Sequence, residues 1–256
     1  MALEFNNAFA NIPKTDFVNQ NLNWFDTDIE SRNFKINTSA NISYKFNEYG
    51  YRCDSFSKEC DRSVLTLGCS MTFGNGIPEG NRFSNIFCNL IGATNWNVGW
   101  PGVSNDFIGR MTSILVPALK PTILLANMTF ISRREYFDLS GNAFDYRPKR
   151  LFANDQQKYI HSNISSLSSD YQDTANLFVN LKLIEEICKN HNVKYLFSIQ
   201  PCDLPQFKKI DHHFDLNKQC HGLVKTDFAR DGGHPGIKSN EKHALNYFKK
   251  YKEVYD

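Results

Sequence analysis

The sequence predicts an α/β domain built on a parallel sheet covered on both faces. Three observations lead there. From Ser63 onward, short and almost continuously apolar runs alternate with amphipathic stretches of helical period. Gly-, Ser- and Pro-rich loops follow several of the apolar runs, where a parallel sheet turns into its crossover helices. The chain has 256 residues, 41% of them hydrophobic and 22% charged, enough for a sizeable core and unlike a disordered composition.

Residues 1–62 are polar and weakly patterned, and read as an N-terminal arm or small β-element beside a main domain over 63–256. Within the arm, Asn41 to Phe46 alternates like a short strand, and Asn47-Glu48-Tyr49-Gly50 reads as a turn. Lys58 to Arg62 is a charged connector. Val64–Leu67 is the first core strand. Phe83, Ile86, Phe87 and Leu90 recur at helical spacing, with Gly92 placed to end the helix. Trp96–Val98 is the second strand. Ser104 caps a helix carrying Phe107, Ile108, Met111, Ile114 and Leu115, which Pro117 is expected to end. Thr122–Phe130 is the third strand. Residues 136–170 form a polar insertion, expected to be a lid or wall rather than core. Leu177, Phe178, Leu181, Ile184, Ile187 and Cys188 mark a long helix. Val193–Ile199 is the fourth strand, closed by Pro201. Ala244, Tyr247, Phe248 and Tyr251 mark the last helix, with Ser239 or Asn240 as its cap.

Composition excludes several classes. Lys and Arg total 29 against 27 Asp and Glu, so there is no basic excess pointing to nucleic acid. Mean hydropathy is −0.46 and no apolar run approaches the length of a membrane span. The N-terminus lacks the basic and apolar regions of a signal peptide, so a cytoplasmic location is expected. The seven cysteines are scattered, odd in number and without a C-x-x-C pair, which argues against a disulfide framework or zinc ribbon. Asp211, His212, His213 and His221 have no defined ligand spacing, so no metal and no cofactor are expected.

In parallel sheets, ligands gather beyond the carboxyl ends of the strands. Three loops there carry candidate chemistry. In Gly68-Cys69-Ser70-Met71-Thr72-Phe73-Gly74, a serine follows the first strand in a glycine-bounded turn. In Arg230-Asp231-Gly232-Gly233-His234-Pro235-Gly236, the carboxylate and imidazole are three apart in a tight loop. The carboxylate can there fix the tautomer of the imidazole. In Asn97-Val98-Gly99-Trp100-Pro101-Gly102-Val103-Ser104, a glycine N–H can face a developing oxyanion. Each loop alone also reads as an ordinary turn. Cys69 is a rival nucleophile that adjacency to Ser70 turns away from the site. Trp96 and Trp100 read equally as core or as a stacking wall for a sugar.

Taken together, the three loops resemble the SGNH (GDSL-like) hydrolase family. Gly68, Ser70, Thr72 and Gly74 match its first block, with Cys69 in place of the family aspartate. Asn97, Gly99, Gly102 and Ser104 match the second, and Asp231, His234 and Pro235 the last. The resemblance spans about residues 63–251. It implies a three-layer, flavodoxin-like α/β/α fold, a Ser70–His234–Asp231 triad, and an oxyanion hole from the N–H groups of Ser70 and Gly102. The third block departs. Counting without gaps from Pro121 puts Thr129 at the family glycine and Ile131 at its asparagine, so Asn127 serves as third oxyanion donor only if the strand is short. Arg133, Arg134 and Glu135 read as a solvated, salt-bridged loop, with lining of the site as the alternative. The resemblance thus implies a serine esterase or deacylase acting on an O-acyl group of a glycan or small molecule. An O-acyltransferase on the same triad, or a non-catalytic module within a larger assembly, are the alternatives.

Overall fold

The computed structural model describes residues 21–23, 42–56, 60–137, 143–146, 159, 162–163, 169–200, 218–220 and 222–256. Five strands form one parallel sheet: β3 (Ser63–Gly68), β4 (Thr94–Asn97), β5 (Ile123–Met128), β8 (Lys194–Ile199) and β9 (Gln219–Cys220). Their spatial order is β4-β3-β5-β8-β9. Counted along the chain this is 2-1-3-4-5, the flavodoxin-like order. Its switch point lies between β3 and β5, so the crevice for a ligand falls beyond Gly68 and Met128.

Period-two alternation assigns the two faces of the sheet. Leu65, Leu67, Leu124, Ala126 and Met128 pack against α3 (Asn105–Leu119) and α4 (Asp170–Asn190). Val64, Ile123, Leu125 and Leu196 pack against α2 (Phe83–Ile91) and α5 (Ile237–Tyr255). The architecture is therefore three-layered, α/β/α. Two further short pairings lie outside this sheet. β1 (Asn21–Asn23) pairs antiparallel with β2 (Ser43–Lys45), and β6 (Arg134–Phe137) with β7 (Ala143–Tyr146).

Local signals explain most boundaries. Ser104 caps α3 by accepting from the Phe107 N–H, and Gly92 ends α2 in the left-handed conformation. Pro117 does not end α3, which runs on to Leu119 with Lys120 as its left-handed cap. A proline this near a C-terminus removes the N–H that would bond the carbonyl of Ser113. Ser113 is exposed, so water can take that carbonyl. The cap of α5 also differs from expectation. Gly236 is the N-cap, while Ser239 and Asn240 are buried within the helix. The Asp227 carboxylate does the capping instead, accepting from the N–H groups of Lys238 (3.0 Å) and Ser239 (2.8 Å). β5 stops at Met128 rather than Phe130, because the Thr129 N–H turns aside to the Asn105 side chain at 2.8 Å. Most of the 136–170 insertion, and Pro201, lie outside the described residues.

The described part of the arm packs on the loop after β3. Ile42, Tyr44 and Phe46 bury against Phe73. The Arg52 guanidinium, 1% exposed, donates to the carbonyls of Phe73 (3.0 Å), Gly74 (2.7 Å) and Ile77 (2.9 Å). Burial first, and then the like charge of Arg82, lower its pKa to about 9, which leaves it charged at neutral pH.

Candidate active site

Ser70 opens α1 (Ser70–Phe73), a single turn that leaves the end of β3 and closes at Gly74 with φ 81°. Only glycine meets that conformation without strain. Arg230 to Pro235 form the loop before α5. The two loops are tied directly, since the Arg230 N–H donates to the Gly76 carbonyl at 3.0 Å. The structure brings three predicted side chains together. His234 Nε2 lies 2.8 Å from Ser70 Oγ, and His234 Nδ1 forms a very short contact with the Asp231 carboxylate. The other Asp231 oxygen accepts from the backbone N–H groups of Gly233 (3.0 Å) and His234 (2.9 Å). Burial alone would raise the Asp231 carboxyl. The hydrogen bonds from His234 and Gly233 outweigh it and hold the group below the ordinary carboxylate range. The resulting anion is suited to fix the Nδ1-protonated tautomer, leaving Nε2 to accept a proton from Ser70.

The loop after β4 packs tightly against this turn. Trp100 N–H donates to the Gly68 carbonyl at 2.9 Å, and the Asn97 carboxamide spans from the Thr72 carbonyl to the Gly99 N–H. A Cβ on Gly99 would lie 2.7 Å from the Phe73 nitrogen. Gly102 is buried with φ 84°, in the turn that leads to the Ser104 cap. The structure thus places Gly102 in the loop adjoining the Ser70 turn.

Asn127 has a different place from the one its sequence position suggested. β5 is not short, and alternation turns Asn127 to the α5 face beside Ile123 and Leu125. It is fully buried with both ends engaged. Nδ2 donates to Thr72 Oγ1 at 3.0 Å, and Oδ1 accepts from Ser198, which accepts from the Tyr247 hydroxyl at 2.9 Å. The carboxamide therefore supports the Ser70 turn from below, and its full burial keeps it from presenting an exposed N–H to an oxyanion.

Cys69 is fully buried, so it presents no nucleophile to the site. Trp96 is core at 2% exposure, whereas Trp100 is half-buried and meets Phe73 edge-on, ring centroids 6.1 Å apart. Arg134 and Glu135 pair with Asp106 and Arg110, but in strand β6 rather than in a solvated loop, and the Glu135 side chain is buried. Cys53, Cys69, Cys88, Cys188 and Cys220 are buried free thiols. Among the described residues no cluster of three or more His, Cys, Asp or Glu could hold a metal ion. Asp211, His212, His213 and His221 lie outside them. No described helix is long and apolar enough to cross a membrane. Sequence reading missed Arg52 and Asp227, which brace the two loops. Neither belongs to a local motif, and their partners are remote in sequence or are backbone groups.

Fold and site together define a flavodoxin-like α/β protein with a Ser–His–Asp cluster at the switch point of its sheet. No family model matches the chain, and no curated protein matches it. Among solved structures it is similar to a G-D-S-L family protein from Desulfitobacterium hafniense DCB-2, at 12% identity and TM-score 0.48, covering 74% of this chain and 99% of that one. It is similar also to an acetyl xylan esterase from the rumen bacterium Butyrivibrio proteoclasticus, at 13% identity and TM-score 0.47, covering 75% of this chain but only 64% of that one. A third is a carbohydrate esterase family 2 enzyme from Corynascus thermopiles, at 13% identity and TM-score 0.49, covering 80% and 70%.

Proposed function

We propose that the protein is a serine ester hydrolase acting on an O-acyl group of a glycan or small molecule, with Ser70 as nucleophile. Ser70 Oγ attacks the acyl carbonyl carbon while His234 Nε2 takes the hydroxyl proton. The C–O bond to the alcohol then breaks, and Nε2 returns the proton to the departing oxygen. Water, activated by the same imidazole, cleaves the acyl-serine and restores the enzyme. Asp231 holds His234 in its tautomer and stabilises the imidazolium. The N–H groups of Ser70 and Gly102 serve the oxyanion. With Asn127 buried beneath the turn, no third donor is assigned to the hole. Each such donor is worth about 3–4 kcal/mol of barrier, so modest turnover is expected.

The observation that carries this reading is the continuous Ser70–His234–Asp231 contact, with Nε2 2.8 Å from Oγ. Ser70→Ala tests it. Loss of p-nitrophenyl acetate hydrolysis without loss of stability is expected, whereas retention of more than about a tenth of the activity would overturn the assignment. Product analysis with and without an acceptor sugar separates hydrolase from acyltransferase.

A further inference from the structure

We propose that the substrate ester carries a carboxylate, bound at the rim of the site by Arg133, with Lys225 as a second cation; this rests on the ester-hydrolase reading of Ser70. Among the described residues, the loops that carry the site hold more cations than the nearby carboxylates neutralise. Arg110 pairs with Glu135 at 2.6 Å and Arg134 with Asp106 at 3.1 Å. Asp231 is taken by His234, and Asp227 by the start of α5.

Arg133, in the loop just beyond β5, has no carboxylate partner among the described residues. Its Nη1 donates instead to Thr129 Oγ1 at 3.0 Å and, at 3.5 Å, to the carbonyl of Val103, the residue after Gly102. Its guanidinium lies 4.8 Å from the ring centre of Phe130, which is 45% exposed. The loop of the catalytic histidine repeats the arrangement. Lys225 Nζ donates to the carbonyl of Gly233, next to His234, at 3.2 Å. It sits 4.7 Å from the ring centre of Phe228, which is 52% exposed, and among the described residues it too has no carboxylate partner.

Both loops that flank Ser70 and His234 therefore present a cation on an exposed phenyl face, without a carboxylate partner among the described residues. A half-buried guanidinium with spare N–H groups is the side chain best shaped for a carboxylate, which it can grip through two parallel hydrogen bonds. The phenyl faces supply apolar contact for the carbon skeleton that bears the charge. A neutral ester would leave both cations facing water and use neither.

The carboxylate can sit on the acyl side or on the alcohol side of the ester, and substrate pairs distinguish the two. The full chain is assayed with p-nitrophenyl hemisuccinate against p-nitrophenyl acetate, and with acetylated glucuronic acid against acetylated glucose. In at least one pair the charged member should show a kcat/KM about tenfold or more above its neutral partner. Arg133→Gln should lower that ratio by about 10- to 100-fold, the range for a charge-assisted hydrogen bond, and Lys225→Gln by less. Lys249→Gln, which removes the same charge from the exposed surface of α5, should leave the ratio alone. In parallel, Ser70→Ala protein is titrated calorimetrically with p-nitrophenyl hemisuccinate and acetylated glucuronic acid, with and without Arg133→Gln. Turnover that does not discriminate charge in either pair overturns the carboxylate site and leaves the hydrolase reading standing. Arg133-dependent binding without turnover of any ester keeps the carboxylate site and overturns the hydrolase reading. Neither turnover nor Arg133-dependent binding overturns both.

Discussion

His243→Phe tests how far burial dictates the acid sensitivity of this fold. His243 lies in α5 at 1% exposure, and neither ring nitrogen has a hydrogen-bond partner. It sits edge-on between Phe83 and Tyr247, at centroid distances of 4.7 and 4.9 Å. Burial disfavours the imidazolium and pushes its pKa down to about 3. In the unfolded chain the same ring titrates near 6.5. Between these values the unfolded state binds the extra proton, so stability is complete above about pH 6.5 and falls as the pH drops. At pH 5 the loss is about 2 kcal/mol, and at pH 3 it reaches about 4 kcal/mol. Phenylalanine keeps the aromatic contacts and removes the titration. Its packing effect is the same at every pH and cancels when two pH values are compared. Urea unfolding at pH 7.5 and pH 5 should therefore show the wild type losing about 2 kcal/mol more than His243→Phe. Equal losses in the two proteins would refute the reasoning.

Three further outcomes follow from contacts around the nucleophile turn. Arg52→Met leaves three buried carbonyls without a donor and should cost about 3–5 kcal/mol by urea unfolding, with kcat falling in the fraction that stays folded; a cost under about 1 kcal/mol would mean the arm does not brace the site. Gly99→Ala places a Cβ 2.7 Å from the Phe73 nitrogen and 2.8 Å from Thr72 Cβ. It should displace the nucleophile turn and lower kcat at least tenfold while the secondary structure seen by circular dichroism persists. Asp231→Asn should cut kcat by several orders of magnitude, because the amide admits the wrong imidazole tautomer; its residual activity should vanish with His234→Ala, and activity near the wild-type level would remove Asp231 from the mechanism.

The parts of this molecule legible in the sequence are those that local chemistry sets. Ser104 and Gly92 announce their caps because each acts on the backbone within a turn of itself. Ser70 sits at a strand end, and Asp231 and His234 are three residues apart, so their arrangement could be read before any contact was known. What could not be read depends on distant partners. Asn127 looks like an oxyanion donor in one dimension, but strand alternation turns it beneath Thr72 and towards Ser198 and Tyr247, 71 and 120 residues further on. Arg52 reaches 21 to 25 residues along the chain to carbonyl groups, which leave no mark in a side-chain pattern. Asp227 caps α5 from eleven residues away, where the sequence offered the nearer Ser239. The β6–β7 hairpin was hidden because Arg134 to Phe137 is half charged, and its charges are satisfied by α3 rather than by water.

The central claim is that Ser70, activated by His234, is a nucleophile. Labelling with a fluorophosphonate tests it without knowledge of the natural ester, because the reagent reports serine nucleophilicity itself. The account predicts one adduct per chain, located at Ser70 by peptide mass spectrometry. Labelling should be abolished in Ser70→Ala and slowed at least a hundredfold in His234→Ala, with both variants folded. An unlabelled wild type, or an adduct that persists in Ser70→Ala, would contradict it.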